Sequence, residues 1–159
     1  MKDSRFKIQD DGFTLIEMLL VLSILIFLAG ISVPTFSKFM TTNNLEKSTA
    51  KVRGLLEEAR SLTLASKYDT QYGVHFESAK AVLFQGASYS STSATNISLT
   101  LPSSVRIGTT TLSGGGNDVV FSRQAGGVSA YGTTTLFLLA NPARISSIVI
   151  YGTGLTEIK

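Results

Sequence analysis

Glu17 is the one ionisable side chain in a run of 21 residues, 13–33, that is otherwise apolar, small or hydroxyl-bearing. At about 1.5 Å per residue a helix over this run would cross a hydrocarbon core of roughly 30 Å. A carboxylate at the bilayer centre costs on the order of 2.5–3.5 kcal/mol, so Glu17 calls for a partner of opposite charge. The chemistry on offer is therefore ion pairing. Other candidates are weaker. His75 is the single histidine and sits in an alternating stretch beside Phe76, with nothing nearby to complete a metal site or an acid–base pair, so it reads as an ordinary sheet residue. Ser113-Gly114-Gly115-Gly116-Asn117 has the composition of a phosphate loop but lacks the lysine and the Ser or Thr of that motif, so it reads as a turn. Ser122 has no histidine partner in any known sequence pattern, and no catalytic constellation is visible.

The chain has 159 residues, room for one anchor and one modest domain. It contains no cysteine, which removes disulfides and thiolate metal sites. Asp118 is the one carboxylate between Glu77 and Glu157, so neither a calcium loop nor any other cofactor site is expected. The net charge is +3, yet from Tyr68 onward five bases (Lys80, Arg106, Arg123, Arg144, Lys159) face four acids (Asp69, Glu77, Asp118, Glu157). A nearly neutral outer domain is a poor nucleic-acid binder.

An ordinary secretory signal also has a charged start and an apolar run, but its core is shorter and carries no glutamate. Lys2, Arg5 and Lys7 favour a cytoplasmic amino terminus, with the rest of the chain outside. Proline at 34 follows glycine at 30, and their missing amide hydrogen and missing Cβ predict a kink at Gly30 and Pro34. Phe36, Phe39, Met40, Leu45, Thr49, Val52, Leu55, Leu56, Ala59, Leu62 and Ala65 or Ser66 then recur near a period of 3.6, an amphipathic helix. Thr42, Asn43 and Asn44 are its softest point, a place for a break or a cap.

After residue 69 the period changes to alternation. Strands are expected at 71–77, 81–85, 97–101, 105–107, 119–121, 134–139 and 145–151, with a short last one near Ile158. The serine-rich run 86–96 reads as a surface loop, and Asn141-Pro142 as an interruption. The fold class is α+β: a long amino-terminal helix, its first half transmembrane, packed on a mostly antiparallel β domain.

Gly12-Phe13-Thr14-Leu15-Ile16-Glu17, with a short polar leader before it and an apolar run after it, resembles the processing signal of type IV pilins and type II secretion pseudopilins. The resemblance implies that a prepilin peptidase cuts between Gly12 and Phe13 and that Phe13 becomes N-methylated. It also implies that Glu17, fifth after the cut, meets the terminal amine of a neighbouring subunit. Segments 121–127, 133–139 and 143–152 are similar to the β domain of GspH/FimT-type minor pseudopilins. The expected organisation is a removed leader at 1–12 and a helix over 13–67, membrane-spanning at 13–33 and amphipathic at 35–66. A β-rich GspH/FimT-like domain at 68–159 completes it.

On that resemblance the chain is a non-enzymatic minor subunit that enters or caps an inner-membrane filament, in a type II secretion system or a type IV pilus. Its partners would be other pilin or pseudopilin subunits, prepilin peptidase, the inner-membrane assembly platform and membrane lipid. The alternative is a pilus-borne receptor for DNA uptake, with Arg106, Arg123 and Arg144 as the candidate contacts. That activity goes with an arginine-bearing carboxyl-terminal tail, and residues 152–159 hold one lysine, one glutamate and no arginine. Nucleic acid is therefore not the expected partner.

Overall fold

The computed structural model describes the backbone of residues 12–159 and the side chains of 12–30 and 43–159. The leader charges Lys2, Arg5 and Lys7, and the side chains of Pro34, Phe36, Phe39 and Met40, lie outside the described residues. Helix α1 runs Leu15–Leu64, and its backbone stays helical through Gly30, Pro34 and the Thr42-Asn43-Asn44 segment. No break occurs at the asparagines. The chain divides into two compact units at Lys38 and Phe39.

In the second unit, α1 is followed by a 3-10 turn at Lys67–Asp69 and eight strands: β1 Tyr72–Glu77, β2 Lys80–Gln85, β3 Ile97–Thr100, β4 Val105–Leu112, β5 Asp118–Val120, β6 Gly132–Leu138, β7 Asn141–Ile150 and β8 Thr156–Ile158. They form two four-stranded sheets, in the orders β3-β2-β1-β5 and β4-β6-β7-β8. Every pairing is antiparallel. One core joins the helix to both sheets: Val52, Leu55, Leu56 and Ala59 of α1 pack with Val74, Phe76 and Leu83 of the first sheet and Val105, Leu136 and Ile148 of the second. Burying such side chains contributes about 1.5–3 kcal/mol each, and the 3.6-residue spacing puts those of α1 on one stripe.

Most strand ends shift by a residue or two, and two strands depart further from the sequence expectation. β4 continues past Ile107 to Leu112 through the threonines at 109–111, with a register irregularity between Ile107 and Thr110. Threonine is a β-branched strand former, so the polar stretch extends the strand instead of ending it. β7 begins at Asn141, so Pro142 lies inside it. Leu138 pairs with Asn141 and Phe137 with Ile145, which leaves Pro142, Ala143 and Arg144 in a bulge. A bulge needs no ladder donor, and proline has none to give.

The helix face also holds two hydroxyls that periodicity passed over, Ser48 and Thr63, buried at 2% and 0% exposure. Leu62 is only half-buried, while Ala65 and Ser66 are exposed. Thr63 earns its place by bonding. Its hydroxyl donates to the Ala59 carbonyl (2.8 Å), and its oxygen accepts from the Tyr72 amide (2.9 Å), tying the end of α1 to the start of β1. Thr63→Val keeps the shape and strands the Tyr72 donor, so it is expected to cost about 1–3 kcal/mol. Thr49→Val is the contrast: its hydroxyl only donates to the Leu45 carbonyl, and its loss should cost well under half as much. Urea unfolding of the two variants, compared at equal m-value, checks the difference.

The serine-rich segment 86–96 is more than a surface loop. Tyr89 stacks on His75 with ring centroids 3.9 Å apart and tilts against Phe84 at 5.7 Å, so the segment covers part of the outer face of the first sheet. Gly73 makes room for this arrangement, since a Cβ there would sit 2.6 Å from the Phe84 ring.

Candidate functional site

Gly12 and Phe13 lie in the non-helical chain just before α1, and Glu17 lies in its first turn. The Glu17 amide donates to Thr14 Oγ1 (3.3 Å), and the Met18 amide to the Thr14 carbonyl (3.2 Å). Thr14 is therefore the residue that starts the helix, and its Thr-x-x-Glu spacing to Glu17 is that of a capping box. The sequence offered that signal, and it was masked by the charge on Glu17. Glutamate in the first turn also suits the positive end of the helix dipole. The Glu17 side chain is exposed and has no ion-pair partner among the described residues.

Around that carboxylate, apolar side chains point in all directions. Phe13, Leu15 and Ile16 are 80%, 78% and 70% exposed, and the large apolar residues from Met18 to Leu28 are all exposed as well. A helix that is apolar all round is stable in water only when something else covers it. Among the described residues no helix is long and apolar enough to cross a membrane. The described apolar side chains reach Gly30, and the last residues of the expected span, 31–33, lie outside them.

Gly12 is exposed, and a Cβ on it would meet nothing within 4 Å. The fold itself thus has no steric use for glycine there. The same holds at Gly30, where glycine costs a helix about 1 kcal/mol relative to alanine.

With this geometry in view, the comparison with known proteins is direct. The family model "Prokaryotic N-terminal methylation motif" matches residues 9–33, which bracket Gly12, Phe13, Thr14 and Glu17. The chain is type IV pilin-like. It is 34% identical over 61 residues to the "Type IV major pilin protein PilA" of Myxococcus xanthus (strain DK1622), an alignment covering 38% of this chain and 28% of that relative. The chain thus matches little more than a quarter of the relative's length. No solved structure matches significantly. The family match ends within α1 and does not reach the β domain.

In the rest of this pilin-like chain, the other candidate residues are dispersed. Arg106, on β4, has its guanidinium turned back onto the carbonyls of Val105 (2.7 Å), Ser103 (3.1 Å) and Pro102 (3.4 Å). Arg123 forms an ion pair with Asp69 beyond the end of α1. Arg144 is exposed in the β7 bulge, next to Ile145, whose partner Phe137 also pairs with Arg106. Arg106 and Arg144 therefore share the second sheet, whereas Arg123 is held at the helix terminus.

His75 Nδ1 lies 2.5 Å from Asp118 Oδ1, a pairing of neighbouring strands β1 and β5 that no local pattern could reveal. Asp118 and Ser122 line one cavity of about 620 Å³, while His75 lines a different one of about 310 Å³. Serine, histidine and aspartate are thus not assembled into a relay. The Gly114 to Gly116 run adopts positive φ at all three glycines, the conformation of a turn. At the other end of the second sheet, Tyr151 donates to Glu157 (2.6 Å), and that hydrogen bond, followed by the carboxylate charge, raises the phenol above its ordinary pKa.

Proposed function

We propose that this chain is a minor pilin or pseudopilin subunit, made with a leader that is cut between Gly12 and Phe13 and then inserted into, or placed at the tip of, an inner-membrane filament. The observation that carries this reading is the exposed, unpaired Glu17 at the head of a helix that is apolar on every side, inside a methylation motif. Lipid covers the apolar surface before assembly and neighbouring helices cover it afterwards. Residues 13–33 form a single span with the amino terminus in the cytoplasm and the β domain outside.

Within the filament Glu17 accepts the methylated amine of Phe13 from an adjacent subunit. Opposite charges about 4 Å apart attract strongly where water is scarce, and each removes the other's cost of being unpaired. The role is mechanical, with no substrate to transform. Arg106 and Arg123 direct their guanidinium groups at partners in the same chain, at its surface, which favours the filament reading over nucleic-acid capture. The resemblance read in the sequence of segments 121–127, 133–139 and 143–152 to GspH/FimT-type subunits leads us to favour a minor component of a type II secretion system or of a type IV pilus, with the inner-membrane assembly platform and other subunits as partners.

The test is Glu17→Ala in a host that has prepilin peptidase. The variant is expected to be cut and retained in the membrane at wild-type levels, yet to enter filaments or cross-link to neighbours at least tenfold less, as for loss of a charged contact worth more than about 1.4 kcal/mol. Normal incorporation of this variant would sink the ion-pair role.

A further inference from the structure

Arg53, Glu57 and Arg60 stand four and three residues apart on α1 and so share one face of the helix. A cavity of about 210 Å³ lies between that face and the start of β8, where Gly154, Leu155 and Thr156 complete its lining. Both walls are held in place. In the turn before β8 the Tyr151 amide donates to the Leu155 carbonyl (2.9 Å) and the Gly154 amide to the Tyr151 carbonyl (2.8 Å). On the helix side Arg60 Nε donates to the Gly126 carbonyl (3.1 Å), which fixes one edge of its guanidinium.

Two polar atoms on these walls lack a partner. Arg53 Nε and Thr156 Oγ1 are both buried, and neither has a hydrogen-bond partner among the described residues. Buried polar groups are almost always satisfied, because an unmet one carries a desolvation penalty. Arg53 uses Nη2 for Glu57 (2.8 Å), and among the described residues nothing bonds the terminal nitrogens of Arg60. Two guanidinium groups therefore line the cavity with a single carboxylate, leaving one positive charge unopposed. A water molecule would satisfy the two orphaned atoms and leave that charge as it is. A carboxylate satisfies all of them, since it only accepts and arginine only donates.

We propose that this cavity receives an acidic side chain of a second polypeptide, whose carboxylate accepts from Arg53 Nε, the free end of Arg60 and Thr156 Oγ1. The volume is below the roughly 300–1,000 Å³ of small-molecule sites and suits one side chain. The Arg53 side chain is 43% exposed, so turning it about its own bonds brings Nε to the incoming group. Leu155 in the lining and Leu64, one turn beyond Arg60, are exposed as well, and apolar side chains beside arginine are what a protein interface covers. The partner segment thus carries an apolar residue next to its acid. The site stands independently of the filament reading, because every residue in it belongs to the second compact unit.

The probe is the capped dipeptide acetyl-Leu-Glu-amide, one carboxylate beside one apolar side chain, with acetyl-Leu-Gln-amide as its neutral isostere. Each is titrated into the full chain, carrying isotope-labelled arginine in a nonionic detergent, while NMR follows the arginine Nε–H resonances. The Arg53 resonance is expected to shift saturably at about millimolar glutamate peptide and to respond at least tenfold more weakly to the glutamine peptide, as for loss of a charge-assisted contact. Arg106 and Arg123, whose guanidinium groups are engaged elsewhere in the chain, should not move. Arg53→Lys keeps the charge and removes Nε, so binding read at Arg60 should weaken at least fivefold, and Thr156→Val should weaken it several-fold; wild-type melting of both variants shows that the fold is intact. The comparison of the two peptides on the unaltered chain needs no variant. No saturable shift by about 10 mM, an equal response to the glutamine peptide, or binding that survives in both variants overturns the proposal. Movement of all the arginines alike, or the same shift with sodium phosphate at equal concentration, overturns it too and marks an adventitious ion only.

Discussion

Gly12→Val is expected to remain at full length in the membrane fraction, its amino terminus still Met1, while the wild-type chain from the same host begins at Phe13. A Cβ at residue 12 would meet nothing within 4 Å, so the substitution leaves the protein's own structure unchanged and any effect must arise in the peptidase. A peptidase that cuts beside the bilayer has to bring the scissile bond against its catalytic groups, and misplacing a bond by about 1 Å can slow such a step on the order of 100-fold. Valine adds a branched Cβ at the residue that supplies the scissile carbonyl. Intact mass and amino-terminal analysis of both chains decide the matter. A wild-type chain that still carries Met1, or a valine variant cut at the wild-type rate, would remove cleavage after Gly12 from the account of this protein.

That segment was legible because its information is local. Gly12, Phe13 and Glu17 lie within six consecutive positions, and a lone carboxylate in an apolar run is conspicuous whatever the fold. The helix face was legible for a similar reason: Val52, Leu55, Leu56 and Ala59 repeat with the helical period and all proved buried. Periodicity counts apolar residues, so it passed over Ser48 and Thr63, hydroxyl side chains that are nonetheless buried on that face. Thr63 is justified by the Tyr72 amide, nine residues away on another element. The strands were placed well by alternation, but their ends were not. Pro142 marked a stop in sequence and became part of a bulge, because only the partner strand determines whether a ladder donor is needed. Contacts between distant segments left no local trace. His75 with Asp118 and Arg123 with Asp69 are separated by 43 and 54 positions. Tyr89 did leave a hint, as the one aromatic residue among serines and threonines at 86–96. Thr14 was visible by its spacing to Glu17 and was hidden by the stronger chemical claim of the glutamate.

Gly154→Ala is expected to destabilise the β domain by about 3–5 kcal/mol, because a backbone penalty and a packing penalty fall on one atom. Gly154 closes the turn before β8, its amide donating to the Tyr151 carbonyl (2.8 Å), and it does so at φ +78°, where an L residue pays roughly 1–2 kcal/mol. A Cβ there would also lie 1.9 Å from the Gly126 carbonyl oxygen and 3.1 Å from Arg60 Nε. That carbonyl is the acceptor for Arg60 Nε (3.1 Å), the bond that ties α1 to the loop after β5. The methyl group must therefore push away the acceptor of a charged hydrogen bond, which contributes about 1.5–3 kcal/mol. Gly114→Ala isolates the two effects. Its φ is +90°, equally left-handed, but a Cβ there meets nothing within 4 Å, so only the backbone penalty applies. Both substitutions restrict the unfolded chain equally, and that contribution cancels in the comparison. In thermal unfolding followed by circular dichroism, Gly154→Ala should lower Tm by about 10 °C or more and Gly114→Ala by less than half of that. Equal shifts in the two variants would mean that the Arg60 and Gly126 contact does not hold the helix to the carboxyl-terminal turn.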